Sequence, residues 1–312
     1  MINLIKAETS RLLARRVLWI GILVALGGCA IMLVGNYWSI SPLPEQEAAQ
    51  LRSTFDDYLA DWKRDPASVC HPEDQACHTT EPTFETWAGI VRQGFGESML
   101  SLASSAATIS FLAMLIISAS LLGAEFATGA ISNQLSFVPN RTRVYTAKGV
   151  VSAAAGVVVS MLLLGLSLLV GWLSYLGVHG AEKTVGAEAA FLGAARGLLL
   201  GLFGALLGFT LTALLTRTAA VIGIVLGYTF FQGVTSLFVH LFKAPWLYRI
   251  APEINLKAIT GGTFSSYYFP TSESSTPTEI IVTAGEGLIY WAVLSAMLIA
   301  VSWFVFGRRS LS

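Results

Sequence analysis

Long apolar runs, separated by polar segments, dominate the hydrophobic pattern along this chain. Several of these runs contain the roughly 20 apolar residues that are needed to cross about 30 Å of hydrocarbon. Membrane spans are predicted at residues 17–37, 98–122, 149–178, 189–215, 219–241 and 286–306. The pattern therefore predicts an all-α polytopic membrane protein with six transmembrane helices.

Two polar segments at the start of the chain have helical patterns of their own. Residues 1–16 mix apolar side chains with bases, which is typical of a helix lying in the membrane interface. The alternative is a plain positive flank of the first span. The first apolar run lacks a small-x-small cleavage site, so we expect the first span to be retained rather than cleaved as a signal peptide.

Residues 38–97 form a long polar excursion with two predicted helices. The first has apolar residues at helical spacing and stops at Asp65-Pro66; its apolar side chains are Leu51, Phe55, Tyr58 and Trp62. The second is marked by Phe84, Trp87 and Val91. Residues 243–285 form another polar excursion, before the last span.

The composition excludes an ordinary soluble domain. Hydrophobic residues make up 54% of the chain and charged residues 12%, whereas about 25% charged residues is typical of soluble proteins. The net charge is zero, but its distribution is uneven. Short segments on one side of the predicted spans carry ten bases against two acids, Glu8 and Glu125. The bases are Lys6, Arg11, Arg15, Arg16, Arg141, Arg143, Lys148, Arg217, Arg308 and Arg309.

This charge asymmetry predicts the orientation of the chain. Residues 38–97 carry four bases against eleven acids, the opposite balance. Because Lys and Arg in short loops favour the cytoplasmic side, both termini, including the tail at residues 307–312, are predicted to be cytoplasmic. The helical excursion between the first two spans is then extracellular.

Residues 123–148 combine polar, helix-ending and basic residues between two long apolar runs. A short helix is predicted at about residues 124–136, with one apolar face. Pro139 and Asn140 stop it, because proline cannot continue a helix and asparagine tolerates a turn. A basic helix start follows at residues 141–148.

This segment resembles the coupling region of the permease subunit in ABC-2 type transporters. The resemblance lies in Gly123, Glu125, Pro139, Arg141 and Lys148, and in the order of segments along the chain. In that family the segment forms the coupling helix, which contacts a separate ATP-binding subunit. The resemblance assigns this role to Gly123, Glu125, Phe126, Pro139, Arg141, Arg143 and Lys148. For Glu125 the alternative is a solvated carboxylate that is favoured by the helix dipole.

The resemblance also implies partners and a location. We expect two copies of an ATP-binding subunit, a second permease copy or a homologous permease, and a multi-pass position in the bacterial cytoplasmic membrane. The helix at residues 1–16 would help to hold the ATP-binding subunit. Short helices between the fifth and sixth spans re-enter the outer leaflet in this family, and residues 246–259 are the matching piece.

Motifs for catalysis are missing from the sequence. It has no Gly-x4-Gly-Lys-Ser/Thr phosphate loop, so we expect ATP and Mg²⁺ to be bound by the partner and no cofactor by this chain. Protease and hydrolase motifs are also missing, so no catalytic residue and no enzyme activity are predicted. The bases follow membrane topology rather than forming a patch, which gives no support for nucleic-acid binding.

Cys70 and Cys77 lie close together in the predicted extracellular excursion. A disulfide is the expected pairing in that compartment. A metal site that also uses His71 and His78 is an alternative, and free thiols are another. Cys29 lies within the first span and is predicted to serve packing.

Small and polar residues within the spans suggest further roles. Glycines recur at four-residue spacing in the fourth span and predict close helix packing, within the chain or between two copies: Gly193, Gly197, Gly201, Gly204 and Gly208. A possible substrate path is lined by Ser101, Ser105 and Thr108, although hydroxyls in spans also bond their own backbone. Arg196 is a further candidate for contact with the substrate, since charged residues within spans are often functional. The alternative is that its side chain snorkels towards the outer surface near Glu188.

The leading hypothesis is an ABC-2 type permease that exports an amphipathic drug, peptide or lipid. An ion-coupled carrier or channel is a second class, but such proteins usually show buried ionisable groups near the membrane midplane. A third class is a membrane scaffold or sensor that binds a ligand or partner through the excursion at residues 38–97. There the amphipathic helix at residues 51–62 would be the binding element.

Overall fold

The structure is a computed structural model that describes residues 1–66, 69, 80–88, 93–232, 239, 241–242, 244, 246–268 and 278–309. The helices are α1 (Ile2–Ala14), α2 (Arg16–Ile40), α3 (Glu45–Arg64), α4 (Phe84–Trp87), α5 (Phe95–Ala127), α6 (Ala130–Phe137), α7 (Arg141–His179), α8 (Glu188–Leu215), α9 (Thr218–Gln232), α10 (Leu247–Ile250), α11 (Pro252–Gly261) and α12 (Ala284–Arg308). Two strands, β1 (Thr263–Tyr268) and β2 (Thr278–Thr283), precede α12. The fold is therefore almost entirely helical.

Five helices in the described ranges are long and apolar enough to cross a membrane: α2, α5, α7, α8 and α12. They indicate a multi-pass membrane protein. At the predicted fifth span the structure has α9, which is apolar but only 15 residues long. Residues 233–238 and 240 of that predicted span lie outside the described residues.

Helix α5 lies at the centre of the bundle, against α2, α7 and α8. Its closest approach is to α8, where a Cβ added at Gly204 would lie 2.2 Å from the Phe111 carbonyl oxygen and one at Gly208 would lie 2.1 Å from that of Leu115. Residue numbers rise together along both helices, so α5 and α8 run parallel. The glycines of α8 thus serve packing within the chain, as one of the two interpretations predicted.

The spanning helices meet at two ends that differ in charge. At one, called the basic end, α2 and α7 begin while α5, α8 and α12 end; Arg309, for example, donates to the Leu214 carbonyl over 2.7 Å. At the opposite end, Asn36 of α2 donates to Ser98 of α5 over 2.9 Å. His179 of α7 lies 2.9 Å from the Ile40 carbonyl there. Helices α2, α5, α7 and α8 thus cross the bundle in alternating directions, and α12 runs in the same direction as α8.

The predicted amphipathic helix in residues 38–97 corresponds to α3. Its Phe55 ring is 5.6 Å from that of Phe84 and 5.5 Å from that of Trp87, both in α4. The aromatic face of α3 is therefore covered from within the chain. Val91, which was predicted to extend the second helix, lies outside the described residues.

The segment before α12 contains a β-hairpin that the sequence analysis treated as a loop. Strands β1 and β2 pair antiparallel, with Thr263 opposite Thr283. Ile280 and Val282 are buried, while Ile281 between them is exposed, as alternation along a strand requires. Helix α11 packs against α12, where a Cβ added at Gly287 would lie 2.5 Å from the Asn255 carbonyl oxygen.

Candidate functional site

The loop between α5 and α7 has a different local structure from the predicted one. Helix α5 continues to Ala127, and the eight-residue helix α6 begins only at Ala130. Gly129 lies between them with φ of 69°, a left-handed conformation that favours glycine. The single helix predicted at residues 124–136 is therefore wrong, because this glycine breaks it. Asn140 then caps α7, accepting a hydrogen bond from the Arg143 amide over 3.1 Å.

Four charged side chains form a buried ion cluster at the basic end: Glu8, Arg15, Glu125 and Lys148. The Lys148 Nζ atom lies 2.7 Å from Glu8 Oε2 and 2.6 Å from Glu125 Oε2. The Arg15 guanidinium lies 2.6 Å from Glu125 Oε1 and donates to the Leu121 carbonyl over 2.8 Å. The cluster thus joins α1, α5 and α7 with two acids and two bases.

Three of the four side chains are almost closed to solvent, and the Arg15 side chain is 27% exposed. The exposed fractions of the Glu8, Glu125 and Lys148 side chains are 6%, 9% and 7%. A cavity of about 30 Å³ adjoins them, lined also by Ser152 and Phe209, which is enough room for one water molecule. Because a buried charge without its partner is strongly unfavourable, these four groups stabilise one arrangement of the helices.

Gln134 connects helix α6 to this buried ion cluster. Its side-chain amide donates to Glu8 Oε1 over 2.6 Å, and both side chains are buried. Arg11 lies 3.2 Å from the same oxygen at the exposed edge. Glu8 therefore contacts groups from α6 and α7 at once, so the amino-terminal helix and the loop helix share one anchor.

A second polar connection involves Arg141 and Arg309. The Arg141 guanidinium donates to the Arg309 carbonyl. The Arg309 guanidinium in turn donates to the carbonyls of Ala213 over 3.0 Å and Leu214 over 2.7 Å. The start of α7 and the ends of α8 and α12 are thus joined, and these last carbonyls of α8 gain the partners that a helix end lacks.

The predicted coupling residues occupy three different environments. Glu125 and Lys148 are in the buried ion cluster. Gly123 is buried, and a Cβ there would lie 2.0 Å from Thr218 Oγ1; Phe126 is half-buried, with its ring 6.5 Å from that of Phe306. Pro139 and Arg143 are exposed, and Arg141 is half-buried. The structure thus divides the set into internal and surface groups.

The surface of the basic end carries an exposed aromatic residue that the sequence analysis did not select. Phe137, the last residue of α6, is 88% exposed. Pro139 and Asn140 follow in the exposed connection to α7. Arg143 in the first turn of α7 and Lys6 of α1 are also exposed. The sequence indicates this residue as an aromatic side chain two positions before Pro139, where the helix was predicted to stop. This surface combines one large apolar side chain with cationic groups.

The residues of the predicted substrate path lie on two helices. Ser101 is exposed and Ser105 and Thr108 are half-buried on α5; Thr108 bonds its own helix, donating to the Ser104 carbonyl over 2.9 Å. Arg196, half-buried on α8, lies beside Gly262 rather than with these hydroxyls. In the described part of the chain it forms no ion pair with Glu188.

The cysteine predictions fall mostly outside the structure's described ranges. Cys70, Cys77, His71 and His78 are not among the described residues. Cys29 is buried in the bundle core on α2, in agreement with a packing role. Within the described residues, no group of three or more His, Cys, Asp or Glu side chains is placed to hold a metal ion.

Comparison with known proteins identifies no relative of this chain. No protein-family model, curated protein sequence or solved structure matches it.

Proposed function

We propose that this chain is the transmembrane permease subunit of an ABC-2 type transporter in the bacterial cytoplasmic membrane. It would act as a homodimer or beside a similar permease, with two ATP-binding subunits at the basic end. The proposal keeps both termini in the cytoplasm, six spans and an extracellular excursion at residues 38–97. ATP and Mg²⁺ would be bound by the partner subunits, and this chain would carry no catalytic residue.

The observation that carries the proposal is the anchoring of α1 and α6 to one buried acid. Glu8 accepts from Gln134 of α6 and pairs with Lys148 of α7. A partner that contacts α6 and α1 would therefore act on the same point of the bundle. Few membrane-surface helices need an ionic anchor, because an apolar face is enough to hold them.

The buried ion cluster supplies a route by which a push at the surface would reach the spans. Lys148 and Glu125 are part of α7 and α5, the helices that continue through the bundle. Opening the cluster would leave buried charges without partners, which is strongly unfavourable. We therefore expect the helices that it joins to move together: α1, α5, α6 and α7. Closure of the ATP-binding subunits would then tilt α5 and α7 rather than detach α6.

The docking surface would be the exposed turn after α6. Phe137 is the large apolar side chain that a partner pocket could bury, and such aromatic anchors contribute most of the affinity at protein interfaces. Arg143 and Lys6 would add positive charge at the same end of the bundle, which guides association with an acidic partner surface. Pro139 and Asn140 fix the turn that presents Phe137.

The substrate would be amphipathic and would be moved outward along the open face of α5. Ser101, Ser105 and Thr108 share that face by helical spacing with Leu112 and Ile116. The latter two line an apolar groove of about 480 Å³ between α2 and α5. An apolar wall with a few hydroxyls suits a drug, a peptide or a lipid with both polar and apolar parts.

Co-expression with a candidate ATP-binding subunit from the same genome tests the proposal. We expect Phe137→Ala to reduce co-purification of that subunit by about tenfold or more, as for the loss of an interface anchor. Trp246→Ala is the matched control, because Trp246 is also an exposed aromatic residue, 59% exposed, but lies near α10. Full co-purification of the Phe137→Ala variant would contradict the docking surface.

A second variant separates docking from coupling. Gln134→Leu removes the contact between α6 and Glu8 but leaves Phe137 on the surface. We expect this variant to bind the ATP-binding subunit and to lose the stimulation of ATP hydrolysis by substrate or lipid. Normal stimulation would argue against transmission through the buried ion cluster. Transport by the purified chain without any ATP-binding subunit would overturn the proposed function as a whole.

A further inference from the structure

Two adjoining cavities lie at the end of the bundle opposite the basic end, between α5, α7 and α8. The inner one has a volume of about 360 Å³ and an apolar lining. Phe95 and Met99 of α5 are buried at its floor, while Trp172 of α7 and Phe191 of α8 are exposed at its sides. Its volume is within the range of sites for small molecules.

The outer cavity has charged residues in its lining and adjoins the inner one. It measures about 680 Å³ and is lined by Glu97, Glu182 and Lys183. Phe95 lines both cavities, and consecutive residues of the loop before α8, Gly186 and Ala187, line one each. The two cavities therefore form one amphipathic recess, with its apolar part deeper along the helices.

Among the residues that the structure describes, the charged side chains of this recess have no partners of their own. In the described part of the chain, Glu97, Glu182 and Lys183 make no ion pair and no side-chain hydrogen bond. This contrasts with the buried ion cluster of the basic end, where the same residue types are paired. Two carboxylates and one ammonium group are therefore available to a ligand that carries both signs of charge.

The position of the recess fits a ligand that sits in the bilayer. The apolar cavity opens on the sides of α7 and α8, both long enough to span a membrane. Leu169 and Trp172 on this side are 50% and 42% exposed, and tryptophan is enriched where hydrocarbon meets headgroups. The charged cavity lies at the ends of the same helices, where headgroups would be.

We propose that this recess binds a phospholipid with a zwitterionic headgroup of the ethanolamine class. One acyl chain lies in the apolar cavity, against Met99 and Trp172. The phosphate lies at Lys183 and the ammonium group at Glu97 and Glu182. An anionic lipid without an amine would face two unpaired carboxylates with one base, so it would bind less tightly. This site rests on the membrane position alone, not on the ATP-driven function.

Native mass spectrometry of the purified full chain tests the site. The probes are phosphatidylethanolamine and phosphatidylglycerol with identical palmitoyl and oleoyl chains, each titrated into detergent solution. We expect one phosphatidylethanolamine to bind at about tenfold lower concentration than phosphatidylglycerol. Lys183→Gln should weaken phosphatidylethanolamine binding by about tenfold, the loss of one charge-assisted hydrogen bond.

A second variant tests the acyl-chain cavity. Ala190 is 3% exposed and lines this cavity, so Ala190→Phe fills it. We expect the bound lipid to be lost, whereas Ala154→Phe, the same change at an exposed position of α7 outside the recess, should retain it. Lys183→Gln, at an exposed position, remains decisive if Ala190→Phe does not fold. Equal binding of both lipids, or binding unchanged by Lys183→Gln, would overturn the proposal.

Discussion

Charged residues at the two ends of this bundle are used in opposite ways. At the basic end, Glu8, Glu125 and Lys148 are buried within contact of each other. At the opposite end, Arg249 lies 3.3 Å from Glu286, and both side chains are about half exposed. A buried charge depends on its partner, whereas an exposed one is solvated with or without it. The same chemistry therefore stabilises one end and leaves the other able to rearrange.

The buried ion cluster and the recess also differ in the space beside their charged groups. The buried ion cluster has almost no room beside its charges, with a cavity of about 30 Å³. At the opposite end, Glu97, Glu182 and Lys183 line a cavity of about 680 Å³ and have no charged partner within the described ranges. Paired groups transmit force between helices, and unpaired groups are available to ligands. The two ends thus suit the two tasks proposed here, coupling and lipid binding.

Removing the shared base should produce the largest effect. Lys148→Met leaves Glu8 and Glu125 buried with their shared ammonium group gone, and breaking such a pair costs about 3–5 kcal/mol. We expect a large fall in the melting temperature in detergent, or loss of folded protein. The measurement is thermal unfolding followed by size-exclusion chromatography.

A compensating variant makes this test specific. Lys148→Met combined with Glu8→Gln and Glu125→Gln removes the two buried carboxylates that lost their shared ammonium group, and it should regain part of the lost stability. If Lys148→Met alone unfolds at the same temperature as the unaltered chain, the buried ion cluster does not stabilise the basic end. The contrast between the two ends would then be lost.

Helix packing should be tight at both ends, whereas charged groups are buried together only in the cluster at the basic end. Gly208→Ala near the basic end and Gly193→Ala near the opposite end each place a Cβ under 3.0 Å from a backbone carbonyl oxygen of a neighbouring helix. We expect each to destabilise the fold by about 1–3 kcal/mol in thermal unfolding. Gly177→Ala is the control, because a Cβ there meets nothing within 4 Å. An unchanged Gly208→Ala variant would show that α5 and α8 can separate freely.

Apolar runs predicted much of this fold because length and hydropathy alone define a membrane span. Five of the six predicted spans contain a spanning helix in the structure. The prediction for residues 243–285 was less accurate, because these residues contain a β-hairpin. Its sequence signal is the short alternation of the buried Ile280 and Val282. A two-residue alternation is too brief to be distinguished from a loop.

The candidate site was harder to predict because its contacts are distant in sequence. Glu125 and Lys148 were selected from the resemblance, but as surface residues of a cytoplasmic loop. Their common neighbour Glu8 is 140 residues from Lys148, and no helical period relates the two. Periodicity defines which face of a helix is apolar; it does not define which helix covers that face. Burial of Lys148 therefore required the three-dimensional arrangement.

The exposed ion pair at the opposite end should give the smallest effect and so completes the comparison. Arg249→Gln removes the contact with Glu286, whose carboxylate also caps α12 by accepting from the Thr283 amide over 2.8 Å. The Glu286 carboxylate stays hydrated and keeps its hydrogen bond from the Thr283 amide. The free energy of unfolding should therefore fall by at most about 1 kcal/mol in thermal unfolding. High salt should reduce this loss further, since exposed charges are screened. If Arg249→Gln destabilised the chain as much as Lys148→Met, burial would not be what distinguishes the two ends, and the opposite end would be as firmly closed as the basic one.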